Sequence, residues 1–496
     1  MPSEQQYILL PTRGMQAPFA AAAAVGGKAI NSIHSFLTQL HPAIGATTVT
    51  PNISLRVLDS IHENGAKLVQ MAPEYVSALR AAQPGLRLVP VVYYRPAVAR
   101  YKIESGMTVK SVSVSTGVKL KVVIGKTAQP AAGASVVAFT DFEQRVGAEA
   151  TTDAKGNVTL ALASGKKVER LYIYPKLAAW GYADKNVSIK NGMTIALVPI
   201  DLQYQDVVRY FYDRFHDDGG AGIKVGVIDT GSGPHPDLNI AGGANTVVGE
   251  KPADYGDNGE GHGTHVAGII AAQHRPNRRI RGVAPSAELR SYRVFAKGSD
   301  KASNYSIAKA IDRAVQDGCD ILNMSLGGGP VDEATKDAIS EAYNQGTISI
   351  CAAGNDAANP ISFPSSDSLA VAVTAIGRVG TFPGHTTSAE AVGKPKATTD
   401  PKLFFANFSN YGVDVDLTGP GVGVISTVPG GFGVMDGTSM ACPAVVGMAA
   451  RILADSTLLK GMKRDQLRAQ YMVQTVLAGA KKLGLGATYE GQGALL

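Results

Sequence analysis

The chain has 496 residues, of which 45% are hydrophobic and 18% carry a charge. This length predicts about three domains, and the apolar content is ample for more than one core. The net charge of +6 is only mildly basic. Four arginines cluster in one stretch without a nucleic-acid-binding motif, so we expect a solvated surface there and no nucleic-acid partner. They are Arg275, Arg278, Arg279 and Arg281.

The N-terminus lacks the pattern of a secretory signal. Residues 1–6 contain no basic region, and the apolar stretch at residues 19–25 is short and mostly alanine. We therefore predict neither a signal peptide nor a membrane span. The three cysteines, Cys319, Cys351 and Cys442, lie on predicted buried elements, and we expect them to be reduced. Both features predict a cytoplasmic protein, with export by an unrecognised route as the alternative.

The first hundred residues are predicted to form strand, helix, two strands, helix and strand. The strands are expected over residues 7–10, 55–58, 66–69 and 86–94, and the helices over residues 30–40 and 73–82. This βαββαβ order is the split βαβ pattern, so we predict a ferredoxin-like α+β domain over residues 1–100. An unrelated small α+β domain is the alternative.

Residues 101–204 change to a pattern of short strands. Val118, Leu120 and Val122 alternate with lysines, and a turn at residues 153–157 precedes another alternating run. This spacing indicates a small β-sandwich. The stretch resembles the carboxypeptidase-regulatory-like sandwiches that accompany some peptidases.

Residues 205–496 alternate apolar strands with helices, which predicts a mostly parallel α/β sheet. Three motifs in this part carry chemistry, at residues 225–231, 261–268 and 437–443. A serine hydroxyl is a weak nucleophile until an imidazole takes its proton, and the imidazole needs a carboxylate to fix its tautomer. Asp229, His262 and Ser439 supply those three groups.

Each candidate follows or begins a suitable element. Asp229 ends a buried apolar strand, at the strand end where open α/β sheets place their sites. His262 begins a small apolar helix and is flanked by glycines. Thr438 is expected to be the N-cap of the last long helix, so that Ser439 falls in its first turn, where free N–H groups favour negative charge. His265, three residues after His262, is expected to have a structural partner only.

The order acid, histidine, serine is that of subtilisin. The chain thus resembles the subtilisin-like serine proteases, peptidase family S8, and the resemblance implies a serine endopeptidase that needs no cofactor. It implies that Asn355 donates its side-chain amide to the oxyanion. It also implies that Ser325, Leu326 and Gly327 bind the substrate backbone, with Ala352, Ala353 and Gly354 as the facing wall of the pocket for the residue before the cleaved bond.

The same resemblance implies a role for the N-terminal domain. In the family such a domain is a propeptide that assists folding and inhibits the enzyme, so we expect an autoinhibited zymogen. The sandwich separates this domain from the catalytic one. The sequence leaves three possibilities open, namely cleavage within residues 94–102, cleavage within residues 199–222, or no cleavage.

Some positions depart from the family pattern. Asp237 matches a calcium ligand of many relatives, but the nearby arginines oppose a dication, so we predict that this site is absent or altered and assign no metal. Ser362 stands where the family often has glycine and is expected to make the pocket shallower. Asp356 is expected at the rim of this pocket. We expect the pocket to accept many kinds of residue before the cleaved bond. Residues 379–404 are rich in Thr, Gly, Pro and Lys and are expected to form a mobile surface loop.

Three alternatives are weighed against this function. Asp229-Thr230-Gly231-Ser232 also matches the signature of aspartic proteases, but the chain has one copy, so that reading requires a homodimer. A binding protein that keeps the fold but has lost catalytic activity is not supported, because no catalytic residue is missing. A processing protease acting on one specific intracellular protein would use the same chemistry on a narrower substrate. No membrane partner is expected.

Overall fold

The computed structural model describes residues 4–17, 27–50, 53–103, 117–216 and 218–496. The described residues form an N-terminal segment up to residue 96, a two-sheet segment over residues 117–200, and a C-terminal segment over residues 201–496. Within this part of the chain, no helix combines the length and the hydrophobicity that crossing a bilayer requires.

The N-terminal segment forms one sheet with two helices packed against it. Its strands in spatial order are Thr47–Thr50, Ile53–Ser60, Lys67–Met71, Gln5–Leu10 and Arg87–Pro90, and its helices are Gly27–Leu40 and Tyr75–Ala82. Neighbouring strands are antiparallel. Leu9, Leu37, Val57 and Leu79 lie in the core between the sheet and the helices.

Two features of this segment differ from the prediction. The strand Thr47–Thr50 was missed. The stretch predicted as one strand over residues 86–94 forms two strands, Arg87–Pro90 and Tyr93–Pro96. The break occurs because Asn304 binds the main chain of Val92, accepting its N–H at 3.2 Å and donating its own N–H to the Val92 carbonyl at 3.0 Å.

The N-terminal sheet packs on two helices of the C-terminal segment, Asn304–Gln316 and Glu333–Asn344. Ile8, Leu68 and Val89 contribute to a core that also contains Ile311 and Ile339. Ion pairs surround this core: His62 Nε2 lies 2.7 Å from Asp312, Arg87 lies 3.0 Å from Glu333, and Lys309 pairs with Asp59. The two segments therefore share apolar and charged contacts.

The two-sheet segment has two sheets that enclose a common core. The strands of the first sheet are Val146–Thr151, Ser135–Asp141, Lys167–Tyr174 and Tyr182–Ser188. The second contains Asn157–Leu160, Val118–Ile124 and Met193–Leu197, with Gln129–Pro130 added to Val118–Ile124. Val118, Leu120, Val136 and Leu171 belong to the shared core, as the alternation of apolar residues predicts.

The C-terminal segment contains a large, mostly parallel sheet, as predicted. Its strands in order are Ile240–Asn245, Glu288–Arg293, Lys224–Asp229, Ile321–Met324, Ile348–Ala352, Ala370–Arg378, Leu417–Pro420, Ala494–Leu495 and Ala480–Lys481. Val424–Val428 and Gly431–Met435 form a separate hairpin, and Ala302–Ser303 and Leu326–Gly327 are short strands.

Helices cover this sheet. They are Val207–Tyr212, His262–Ala271, Asn304–Gln316, Glu333–Asn344, Thr387–Glu390, Thr438–Ala454, Thr457–Gly461, Gln466–Ala478 and Ala487–Glu490. Every residue of His262–Ala271 is buried, as are nearly all of Thr438–Ala454. Both helices are mostly apolar and are buried on all sides, which places them in the core.

The stretch 379–404 is not the surface loop that its composition suggested. It contains the helix Thr387–Glu390 and the strand Val392–Lys396, which pairs with the strand Leu403–Ala406. Leu403–Ala406 joins the main sheet beside Ala370–Arg378, and its four residues are buried. The expectation was wrong because these apolar residues hold the end of the stretch in the core.

The C-terminal segment begins with a buried ion pair. Asp206 caps the helix Val207–Tyr212, and its carboxylate lies 2.8 Å from the guanidinium of Arg209, with both side chains almost fully buried. Asp206 also accepts the Ile425 N–H at 2.7 Å, while Arg209 donates to the Ile425 and Arg281 carbonyls. This network ties the first helix to the body of the segment.

We expect Asp206→Ala to lower the free energy of unfolding by about 3–5 kcal/mol, because it leaves the Arg209 charge buried without its counterion. Guanidinium unfolding of a Ser439→Ala background, which prevents self-digestion, measures the change. Asp218→Ala, at an exposed aspartate of the same connecting region, is the control and is expected to shift stability by less than about 0.5 kcal/mol. Equal stability of the two variants would contradict a structural role for this ion pair.

Candidate active site

The predicted acid and base lie side by side. Asp229 is fully buried at the end of the strand Lys224–Asp229, and its Oδ1 lies 2.6 Å from Nδ1 of His262. The N–H of Thr230 donates to the same Oδ1 at 2.6 Å, and the Thr230 hydroxyl accepts the Gly263 N–H at 2.8 Å. Gly263 has no room for a side chain, because a Cβ there would lie 2.3 Å from the Gly231 carbonyl oxygen.

This contact decides the chemistry available to His262. When Nδ1 carries the proton that Asp229 accepts, Nε2 is left as a hydrogen-bond acceptor. His262 Nε2 is buried and has no hydrogen-bond partner within the described chain. Its ring is therefore arranged to accept a proton from a group entering the cleft.

Ser439 lies in the first turn of the helix Thr438–Ala454, as predicted. Its Oγ donates to the Ser325 carbonyl at 2.9 Å, so the serine hydroxyl does not bond to His262 in this conformation. The expected N-cap was wrong: Gly437 occupies that position with φ of 154°, and Thr438 is the first helical residue. A Cβ on Gly437 would lie 2.5 Å from the carbonyl oxygen of Ala97, which explains the glycine.

Asn355 follows the strand Ile348–Ala352 and contacts the start of the serine helix. Its Oδ1 accepts the Thr438 N–H at 2.9 Å and the Thr438 hydroxyl at 3.0 Å. These two bonds assign the amide orientation and leave Nδ2 buried without a partner in the described chain. An unpaired buried amide beside a serine is arranged to donate to an incoming oxygen.

Part of the chain itself lies in the cleft. We call residues 93–99 the cleft segment. Its strand Tyr93–Pro96 pairs antiparallel with Ala302–Ser303 on one side and with Leu326–Gly327 on the other. The Ala97 N–H donates to the Ser325 carbonyl at 3.1 Å, and the Ala97 carbonyl accepts the Ser439 N–H at 3.1 Å. The carbonyl carbon of Ala97 thus faces the start of the serine helix.

The predicted substrate-binding residues divide into two groups. Ser325, Leu326 and Gly327 contact the cleft segment through their main chain. On the facing wall Gly354 lines the cleft, whereas Ala352 and Ala353 are fully buried behind it. The structure therefore brings all six residues to this region, where Gly327 and Gly354 line the open part of the cleft and the other four are fully buried.

Tyr94 occupies a pocket that the sequence did not indicate. The residue is fully buried, and its hydroxyl donates to the Pro330 carbonyl at 2.8 Å and to the Asp332 carboxylate. Its ring packs against Phe363 with centroids 6.1 Å apart. A side chain on Gly329 would collide with the Tyr94 ring, so the run Gly327-Gly328-Gly329 was the available signal for this pocket.

Comparison with known proteins assigns the family. Residues 220–494 match the model of the Subtilase family, which is more than half of the chain. The chain belongs to the subtilase family. M-protease of Shouchella clausii (strain KSM-K16) is 40% identical over 235 residues, covering 47% of this chain and 54% of that protein. The match thus spans about half the length of M-protease.

Other subtilases are matched over more of their length. Subtilisin Savinase of Lederbergia lenta is 40% identical over 235 residues, which cover 77% of it. Subtilisin E of Bacillus subtilis (strain 168) is 35% identical over 343 residues, covering 66% of this chain and 83% of that protein. The family is one of serine-type endopeptidases, which is the class of enzyme that this membership indicates.

Two further groups support the histidine of this subtilase. Asp257 was missed, although it lies only five residues before His262. Its carboxylate accepts the N–H groups of Gly259 and Gly261 and the hydroxyl of Thr264, and burial raises the pKa of Asp257. His265 has the structural partner that was expected: its Nε2 lies 3.1 Å from the Val424 carbonyl, and burial lowers its pKa to about 3.

Two positions at which the sequence was compared with the family pattern, Ser362 and Asp356, make specific contacts in this subtilase. Ser362 lines the cleft, and its Oγ accepts from the Asn410 amide at 3.0 Å. Asn410 also accepts the Asp356 N–H at 2.8 Å. Asp356 lines the cleft as well and is exposed.

The calcium position of the family does not fit a dication in this subtilase. Arg275 Nε lies 3.3 Å from Asp237, and Arg278 also pairs with that carboxylate. Two guanidinium groups therefore take the place that Ca²⁺ would need, and we derive no role for the ion. Across the described residues, no three His, Cys, Asp or Glu side chains are grouped as metal ligands. The three cysteines are free and buried, as predicted.

Chelation is expected to leave the stability of the protein unchanged, because the Asp237 carboxylate is already neutralised by two arginines. The melting temperature of the Ser439→Ala protein, measured with and without EDTA, tests this. A large decrease with EDTA that calcium reverses would contradict the prediction. Subtilisin Savinase, measured in parallel, is the comparison protein.

Proposed function

We propose that the chain is a serine endopeptidase made as a zymogen, with its N-terminal segment as intramolecular inhibitor. The observation that carries this proposal is the position of Ala97. Its carbonyl oxygen accepts from the Ser439 N–H, its N–H is bound by Ser325, and the residues before it pair as an added strand. A peptide substrate held by β-augmentation would have the same arrangement.

The chemistry follows from the groups around that carbonyl. Rotation about the Ser439 Cα–Cβ bond moves Oγ from the Ser325 carbonyl toward His262. Oγ attacks the carbonyl carbon while its proton passes to His262 Nε2, and Asp229 stabilises the imidazolium. His262 then gives that proton to the leaving amine. Water hydrolyses the resulting acyl-enzyme with the same base, which regenerates the free serine.

Asn355 and the Ser439 N–H stabilise the charge that develops on the oxygen. The Ser439 N–H already donates to the Ala97 carbonyl, and the Nδ2 group of Asn355 has no other partner in the described chain. Donors that are fixed before the reaction stabilise an oxyanion without reorganising. This pair would therefore bind the transition state more strongly than the ground state.

The zymogen would cleave itself between Ala97 and Val98. That bond is the one whose carbonyl faces Ser439, and it lies within the first of the three alternatives that the sequence left open. The cut would separate a ferredoxin-like propeptide, residues 1–97, from the sandwich and the catalytic domain. We propose boundaries near residues 100 and 204 for these three domains.

The cleft segment also indicates which substrates would fit. Ala97 is small, and Ser362 with Asn410 fills the space near Gly354, so a small residue is favoured before the cleaved bond. Tyr94 fills an aromatic pocket three residues earlier. The aspartic-protease alternative is disfavoured, because the Asp229 carboxylate is buried against His262 and is closed to a second carboxylate.

Wild-type protein is expected to lose the mass of residues 1–97 with time, whereas Ser439→Ala stays intact because it lacks the nucleophile. Intact-mass spectrometry measures both, and casein hydrolysis measures activity in trans. Ser368→Ala, at an exposed serine, is the control and is expected to behave as wild type.

The outcomes separate the two parts of the proposal. Casein hydrolysis by Ser439→Ala equal to that of wild type would refute the assigned nucleophile. Casein hydrolysis by a wild-type protein whose mass never changes would refute the zymogen and leave the endopeptidase. A cut at another bond would refute the assigned cleavage site.

Asn355→Ala is expected to lower kcat about 10² to 10³-fold, the range known for an oxyanion donor of subtilisin. Asn355→Asp is the matched variant, since it keeps the oxygen that accepts from Thr438 but lacks the amide donor. If Asn355 acts on the oxyanion, both variants lose kcat with little change in KM. Recovery of activity in Asn355→Asp would show that the residue only positions Thr438.

A further inference from the structure

The chain continues from Ala97 onto the two-sheet segment. Val98 follows the bond that faces Ser439, and the Ala99 N–H donates to the Asp436 carbonyl at 2.8 Å. The next residues leave the C-terminal segment and reach the outer face of the first sheet. Arg100 contacts that sheet first, with its guanidinium 5.2 Å from the centre of the Tyr174 ring. Tyr101, the fourth residue past Ala97, is the next and lies among aromatic side chains of the sheet.

This outer face is aromatic. Side chains alternate along a strand, so Val136 and Ala138 face the core between the two sheets while Phe139 faces outward. Tyr172 and Tyr174 face outward beside Phe139 for the same reason. With Phe142, from the turn after the strand Ser135–Asp141, these residues form what we call the aromatic cluster: Phe139, Phe142, Tyr172 and Tyr174.

Tyr101 is held by this cluster. Its ring lies 5.1 Å from that of Phe142 in an edge-to-face arrangement and 5.0 Å from that of Tyr172. The guanidinium of Arg145 lies 4.9 Å from the Tyr101 ring and 4.2 Å from the Phe142 ring. Aromatic pairs and a cation over a ring both favour an aromatic side chain at this position over an aliphatic one.

The main chain around Tyr101 is bound by side chains of the same segment. The Tyr101 N–H donates to the Tyr174 hydroxyl at 3.1 Å, and the Ile103 N–H donates to the Glu149 carboxylate at 3.3 Å. Both contacts use backbone groups that every residue except proline carries. Any polypeptide with an aromatic residue in this register could make them.

Two residues of the cluster, Tyr172 and Tyr174, line the same cleft of about 910 Å³ as His262 and Asn355 of the reaction centre. Tyr101 and Arg145 line this cleft as well. A polypeptide bound across Ser439 therefore reaches the cluster without leaving the cleft.

The two-sheet segment is fixed against the C-terminal segment. Glu390 lies 2.6 Å from Lys185 and 3.4 Å from Arg170, and the Ala178 N–H donates to the Phe432 carbonyl at 2.8 Å. Trp180 is buried in a cluster of residues from both segments. A surface held in this way presents the cluster at a constant distance from Ser439.

We propose that the aromatic cluster is a substrate subsite, selecting polypeptides with an aromatic residue at the fourth position after the cleaved bond. This inference rests on the proposed endopeptidase function, since it extends the same cleft. The selected residue lies C-terminal to the cleaved bond, in the part of the substrate that leaves as the amine product. Tyr101 of the chain itself is then the first occupant, and it competes with substrate after self-cleavage.

The test compares two internally quenched peptides on the self-processed full chain. One has the sequence of residues 93–103, and the other carries alanine in place of the tyrosine corresponding to Tyr101. A chromogenic anilide of residues 94–97, which ends at the cleaved bond, reports catalysis without the cluster. We expect kcat/KM for the tyrosine peptide to exceed that for the alanine peptide about tenfold.

Variants on the enzyme make the test specific. Phe142→Ala is expected to bring the ratio of the two peptides close to one, and Arg145→Met to reduce it. Gln144→Ala, at an exposed residue of the same turn, is the matched control and is expected to keep the wild-type ratio and anilide rate. Tyr101→Ala in the chain is expected to lower KM for the tyrosine peptide, because it removes the internal competitor.

The outcomes are distinguishable. Anilide cleavage with equal kcat/KM for the two peptides overturns the subsite and leaves the endopeptidase function. A preference for tyrosine that Phe142→Ala does not change also overturns it, because the selection would then arise elsewhere. Failure to cleave the anilide refutes the proposed function, and the subsite with it.

Discussion

The arrangement of the three segments depends on one short strand that leaves the N-terminal sheet and pairs with the C-terminal segment instead. Tyr93–Pro96 follows the N-terminal sheet in sequence but pairs with Ala302–Ser303 and Leu326–Gly327 of the C-terminal segment. This pairing fixes the register of Ala97 against Ser439, because side chains alternate along a strand and a slip of one residue would reverse them. It also fixes the direction in which the chain leaves toward the two-sheet segment. The N-terminal sheet, the reaction centre and the aromatic cluster are therefore aligned by the same few main-chain bonds.

Much of the reaction centre could be predicted because each of its groups is local in sequence. Asp229 ends an apolar strand, His262 begins a fully buried helix, and Ser439 lies at the start of a second helix that is almost entirely buried. The carboxyl ends of parallel strands lie at one edge of the sheet, so local sequence patterns were enough to predict that these residues meet. The contact between Asp229 and His262 could be predicted from this arrangement. The rotamer of Ser439 does not, because it depends on the Ser325 carbonyl from a distant strand.

The parts that sequence reasoning missed depend on contacts between segments. The break between Pro90 and Tyr93 results from Asn304, which lies more than two hundred residues away. The stretch 379–404 has the composition of a loop, yet Phe404 and Phe405 at its end are buried in the main sheet. Short polar stretches carry little periodicity, so their composition says nothing about what they pack against. The aromatic cluster was missed for a related reason: both faces of its strands are apolar, and alternation alone does not show that a second face is covered.

Glu390 connects two parts of the chain that lie far apart in sequence. The carboxylate lies in the stretch 379–404, which departs from the expected family pattern, and it binds Lys185 and Arg170 of the two-sheet segment. Thr387 and Ala391, its neighbours, line the cleft. The stretch 379–404 and the two-sheet segment thus meet at the wall of the cleft, although they are separated in sequence by most of the catalytic fold. Loss of the Glu390 carboxylate would leave the charges of Lys185 and Arg170 without their shared counterion, so one side chain couples the position of the two-sheet segment to the shape of the cleft wall.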